Sequence, residues 1–214
     1  MSRIIDTGLE ELAVILNRVG NSTYEAVYLS LRSCLTGTDN YDQISDLSEA
    51  TASLAEKAEN KAFELIARFQ PVASDLRTIK SYMKISNDFA RYGRYALDIS
   101  YICKRMGSLR ECEAWISDRV EKMSEKVLRM VQISITALKG HNIELAKSIS
   151  TVEKEVDEMY FTFLDGLVKR ASTTSQCTIS SVLVVRYLER IADHAVYICE
   201  SLVYIVSGEQ ISLG

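Results

Sequence analysis

Proline occurs once and glycine nine times in 214 residues, and turn-rich polar stretches are almost missing. Breakers this scarce exclude a fold of many short strands and leave a few long helices joined by short loops. Histidine is limited to His141 and His194, and the Glu-x-x-His motif of di-iron helical bundles is missing. The formal charge is −4 and no basic stretch stands out, which argues against a nucleic-acid partner. The longest apolar runs fall far short of the ~20 residues of a membrane span. The opening stretch MSRIIDTGLEELAVIL carries acids where a secretory leader needs a clean apolar run. Cys34, Cys103, Cys112, Cys177 and Cys199 are odd in number and never spaced C-x-x-C, so reduced, mostly buried thiols and a cytoplasmic location are the expectation. There is no phosphate-binding G-x-x-x-x-G-K-[ST] loop, no G-x-S-x-G elbow and no nucleophile–base pair, so no catalytic apparatus is visible.

What remains is helical periodicity from end to end. Leu9, Leu12, Ile15, Leu16 and Val19 recur at three- and four-residue steps and predict a first helix over about residues 8–35. Gly37 is a plausible cap for it, and Asp39 or Asn40 a fresh N-cap for a second helix over about 41–69. Pro71 suits the first position of a third helix reaching about Lys104, and Gly107 closes that half. A fourth helix over about 111–138 stops at KGHN, a fifth spans about 143–170, and ASTTSQ separates it from a sixth ending near Ser207 and Gly208. Rods of ~30 residues are each ~45 Å long, and they need neighbours to cover their apolar stripes.

The order of lengths repeats, and so do residues. Leu35-x-Gly37-x-Asp39 returns 103 positions later as Leu138-x-Gly140-x-Asn142. Arg91, Ala96 and Ile99 return 99 positions later as Arg190, Ala195 and Ile198. The chain is therefore read as all-α, two tandem three-helix bundles made of six long antiparallel helices, residues 1–106 and 107–214.

Acidic residues distinguish the two copies. Glu189 and Asp193 are four apart on the sixth helix, hence neighbours on one face, and Glu153 and Asp157 repeat the spacing on the fifth. Side by side, these helices would bring four carboxylates together. Two readings stay open: a bound cation such as Mg²⁺, Mn²⁺, iron or Zn²⁺, or a solvated acidic face answered by Arg186, Arg190 and Lys154. At the first-half positions matching Glu189 and Asp193 stand Ala90 and Arg94, with Glu56 and Asn60 as the expected second-helix counterparts. A guanidinium in place of a carboxylate removes a cation site. His194, rotated about 100° from Asp193, suits packing rather than ligation. Tyr92, Tyr95 and Tyr101 suit packing or an interface rather than a cofactor.

The segment Gln70, Pro71, Ala73, Asp75, Leu76, Arg77 resembles the Gln-Pro-x-Ala-x-Asp-Leu-Arg segment of the PhoU family of phosphate-uptake regulators. Glu189, Arg190, Ile191, Asp193 and His194 resemble its Glu-Arg-Ile-Gly-Asp-His segment, with Ala192 in place of the usual glycine. The resemblance implies paired three-helix bundles and, by position, Glu153, Asp157, Glu189 and Asp193 as ligands of a divalent or trivalent metal ion (iron, Zn, Mg or Mn) in the second half. It also implies a non-enzymatic regulator contacting a phosphate ABC transporter and a sensor kinase, reaching the membrane only through such partners. A homodimer is compatible with long, flat bundle faces. A metal-free scaffold or dimerisation module, a metal-dependent enzyme built on the carboxylates, and an accessory protein of another phosphate carrier are the alternatives.

Overall fold

A computed structural model describes residues 4–170 and 175–214. Its helices are α1 (Ile4–Thr36), α2 (Tyr41–Phe69), α3 (Ala73–Met106), α4 (Ala114–Gly140), α5 (Ile143–Lys147), α6 (Ile149–Lys169) and α7 (Ser175–Ser207). A single 3-10 turn, Leu109–Glu111, joins the halves, and no strand occurs among the described residues. The fold is the expected pair of tandem three-helix bundles. None of the described helices is long and apolar enough to cross a membrane.

The connections follow local chemistry. Gly37, at φ 81°, ends α1 and its N–H donates to the Ser33 carbonyl at 2.9 Å. Asp39 Oδ1 then accepts the Tyr41 N–H at 3.0 Å, so the aspartate rather than Asn40 supplies the side-chain cap of α2. Asn142 caps α5 by accepting the Leu145 N–H at 3.0 Å.

Three expectations are corrected. Pro71 is not the first residue of the third helix: Gln70 turns left-handed at φ 46° to cap α2, Pro71 and Val72 form the connector, and α3 begins at Ala73. The fifth helix is divided at Ser148, whose hydroxyl donates to the Leu145 carbonyl at 2.7 Å and competes with the backbone ladder there. The fourth helix starts at Ala114, because residues 109–111 take the tighter turn. Of the ASTTSQ separator, residues 171–174 lie outside the described residues.

The two halves share one core. Leu12, Leu16, Phe89, Tyr92 and Ile99 from the first and Val127, Met130, Leu188, Ile191 and Ile198 from the second belong to a single buried cluster. Each such side chain contributes roughly 1.5–3 kcal/mol by leaving water. Tyr92 is fully buried, and its hydroxyl meets Ser134 Oγ on α4 at 3.2 Å, which satisfies its polar end across the repeat boundary. Burial pushes its phenol well above the ordinary tyrosine range.

The cysteines differ from expectation. Cys34 is bridged to Cys103, with Cα atoms 5.3 Å apart, and Cys112 to Cys177, at 5.6 Å. Only Cys199 is a free, buried thiol, and burial raises its pKa to about 12. Partners 69 and 65 positions apart leave no local spacing to read, and the odd fifth cysteine is a core residue. With four of the five cysteines bridged, cysteine usage does not point to a reducing compartment. Alkylation under denaturing conditions should label one thiol per chain without reductant and five with it. Reduction should lower the unfolding free energy by roughly 2–4 kcal/mol per bridge, seen as a drop in melting temperature.

Candidate functional site

The acid-bearing stretches of α6 and α7 lie side by side. Val152 and Val156 on α6 and Ala192 and Val196 on α7 are buried between them, so the neighbouring acids emerge together at the outer edge of the pair. The structure brings all four predicted residues within electrostatic reach. Burial is the largest influence on Glu153 and raises its pKa; Asp157 adds negative charge and a carboxyl–carboxylate hydrogen bond, and Asp193 adds further charge. Burial also raises Glu189, with Asp193 and Asp157 contributing in the same sense. Asp193 is raised by burial first, reinforced by Asp157 and opposed by Arg190.

Cations on the same face answer part of this charge. Arg186 Nη1 lies 2.6 Å from Glu189 Oε2, and Arg190 reaches both Asp193 Oδ2 at 3.2 Å and Glu189 Oε2 at 3.7 Å. The Glu189 and Asp193 side chains are only 15% and 25% exposed, so desolvation outweighs these ion pairs. Among the described residues no three His, Cys, Asp or Glu side chains are gathered around one point suited to a metal ion. The donor set fits a hard or borderline cation in chemistry, being all oxygen with negative charge that the two arginines answer only in part. Its gathering requires that Arg186 and Arg190 release Glu189 and Asp193.

The first half lacks the counterpart. Arg94 is exposed, and its charge acts on Asp98, one turn along α3. Opposite this stretch, α2 presents Ser48 and Thr51 to Gly93, and the Ala55 carbonyl accepts the Ser86 hydroxyl at 3.3 Å. Glu56 and Asn60 lie further along α2, so the expected pairing with them is a turn or more off register.

A polar constellation between the halves was not anticipated. His194 Nδ1 meets Asp88 Oδ1 at 2.8 Å, and His194 Nε2 faces the Tyr95 hydroxyl at 3.4 Å. Tyr95 stands 99 positions before His194, and Asp88 stands 99 before Tyr187, whose ring packs 5.6 Å from that of Tyr95. The exchange of partners is the signature of a local two-fold axis between α3 and α7. Only the repeat offset in the sequence hinted at it. His141, at the end of α4, contacts the Tyr82 hydroxyl at 3.2 Å through Nε2.

Comparison with known proteins agrees with this architecture. The PhoU domain family matches residues 16–103 and 120–202. A phosphate-specific transport system accessory protein PhoU homolog from Clostridium acetobutylicum is 30% identical over 221 aligned positions, covering 99% of this chain and 98% of its own. The Pseudomonas aeruginosa homolog is 32% identical over 177 positions, covering 79% and 71%. The crystal structure of PhoU from Pseudomonas aeruginosa superposes with a TM-score of 0.89 at 25% identity, covering 95% of this chain and 99% of that one. PhoU from Streptococcus pneumoniae shares the fold, with a TM-score of 0.86 at 24% identity over 97% and 99%.

The raised carboxyls set a pH signature. A group whose pKa is higher when folded binds more protons in the folded state, so its contribution to stability falls as pH rises through the folded value. Between neutral pH and the unfolded values of 4.5 for Glu153 and Glu189, acidification should stabilise the metal-free chain. The depressed carboxyls Asp39, Glu64 and Glu155 oppose this only below their unfolded values. Glu153→Gln should flatten the slope and raise neutral-pH stability by roughly 0.2–0.5 kcal/mol, measured by urea unfolding from pH 5 to 7.5. An unchanged slope would mean that neither burial nor the neighbouring acids raise Glu153 in the folded chain.

Proposed function

The chain belongs to the PhoU family, and from that membership we propose that it is an accessory regulator that restrains phosphate uptake by contact with a phosphate transporter. The carrying observation is the 30% identity to a phosphate-specific transport accessory homolog across 99% of the chain. The high structural similarity to PhoU from Pseudomonas aeruginosa supports it. The partner in this reading is an ABC-type phosphate transporter, together with a sensor kinase that reads its state. The protein acts from the cytoplasmic side and touches the membrane only through them. It is not an enzyme in this reading: its acids stand beside arginines, with no nucleophile–base pair among them.

The carboxylates Glu153, Asp157, Glu189 and Asp193 supply a cation site in the second half. Oxygen donors of this kind suit Mg²⁺, Mn²⁺, iron or Zn²⁺. A bound cation supplies positive charge to a face whose carboxyls the fold has raised in pKa. The chain's own part is to hold the two acid pairs on adjoining helices and to keep Arg186 and Arg190 at hand as counter-charges when the cation is gone.

Removing the protein from its host should raise phosphate accumulation in phosphate-replete medium, and re-expression should restore the restraint. Protein purified without chelator should carry metal that a Glu189→Gln/Asp193→Asn double variant lacks. Uptake indifferent to the protein overturns the regulatory reading; equal metal content in the two proteins overturns the site.

A further inference from the structure

Beyond α7 the chain turns back on itself. Gly208, at φ 79°, reverses direction in the left-handed region that favours glycine, and a Cβ there would come within 2.9 Å of Arg77 Nη1, so the guanidinium lies directly against the turn. Arg77 comes from the start of α3, and its guanidinium lies 5.8 Å over the Tyr204 ring. Residues 209–214 then run back beside α7. The Leu213 N–H donates to Glu200 Oε1 at 3.0 Å, and Ile211 and Leu213 are partly buried against the core. Gly214 arrives at the acidic face: a Cβ on it would lie 3.3 Å from Glu153 Oε1 and 3.8 Å from Val196.

We propose that residues 209–214 form a strap that closes one edge of the acidic face, and that Arg77 is the positioning residue that sets the strap's turn. The inference rests on the cation-site reading given above and adds a control over access to it. The attachment is slight. One hydrogen bond from Leu213 and two partly buried apolar side chains hold the segment to the helices. Its remaining described hydrogen bonds are local, from Glu209 N to Ser207 Oγ and from Ser212 Oγ to the Gly214 carbonyl. A cleft of about 270 Å³, lined by Lys80, Lys84, Tyr204, Gln210 and Ile211 among others, runs between the strap and α3 and α7, so the segment is not packed tight along its length. Release costs few contacts and frees the Glu153 carboxylate on the side that Gly214 covers. The arrangement gives the Gln70–Arg77 segment of the first half a mechanical link to the acids of the second.

A strap that is down about nine-tenths of the time weakens the apparent affinity for a cation about tenfold. The test is calorimetric titration of Mn²⁺ into the full chain, a variant lacking residues 209–214, Leu213→Asp and Arg77→Ala, with circular dichroism melting as the check on folding. Binding about tenfold tighter in the deletion and in Leu213→Asp, with Arg77→Ala intermediate and melting little changed, supports the strap. Binding only in the variants supports it more strongly. Equal affinity in the full chain and both strap variants overturns the strap and leaves the acid site standing. Weaker binding after deletion also overturns it, because the segment would then be contributing to the site. No binding in any form removes the cation-site reading and the strap together. The deletion changes no residue of the helices, so it decides the matter even where Arg77→Ala fails to fold.

Discussion

Along α3 and α7, side chains meet in antiparallel order from Arg77 against Tyr204 to the Met106 carbonyl against Gln176. This pairing spans both repeats, and other features of the fold depend on it. Near its centre, Asp88 and Tyr95 of the first half face His194 and Tyr187 of the second, in the crossed arrangement that a two-fold axis imposes on two copies of one unit. Asp88 is buried, and its second oxygen has no hydrogen-bond partner, so His194 is the group that answers it. A buried carboxylate is costly unless paired. The halves are therefore joined by polar specificity at the axis as well as by the apolar core around it.

The same axis explains why divergence between the copies has a chemical outcome. Positions that a perfect repeat would equate are occupied by Asp193 in one half and Arg94 in the other. In the second half, α6 brings Glu153 and Asp157 to meet Glu189 and Asp193, and three of the four are raised by burial and mutual repulsion. In the first, Arg94 acts on Asp98 of its own helix, and α2 presents Ser48 and Thr51 nearby. One copy stores negative charge, and the other has spent it in local pairing.

Much of this was legible in the sequence because it is written at short range. Helix existence, the Gly37 and Gly107 breaks, the duplication and the acid pairs all follow from spacings of three, four and about a hundred residues. What was missed depends on where distant segments meet. Cys34 finds Cys103 and Cys112 finds Cys177 only because helix ends converge at one end of the bundle. The register of α2 on α3 places Ser48 and Thr51 beside Gly93, a contact with no signature in either segment alone. Pro71 falls in the connector and not at the first position of α3 because Gln70 adopts a left-handed cap that its residue type does not advertise. The Asp88 partner of His194 lies 106 positions away, out of reach of any local pattern.

We propose that the two bundles, alike in shape, differ in chemistry, with cation binding confined to the second. Paramagnetic broadening of backbone amide signals by Mn²⁺ tests it most directly, since the effect reports distance from the ion residue by residue. Broadening should centre on Glu153, Asp157, Glu189 and Asp193, with the amides around Ala90 and Arg94 unaffected. Broadening centred on Arg94, or equal in both halves, would contradict it.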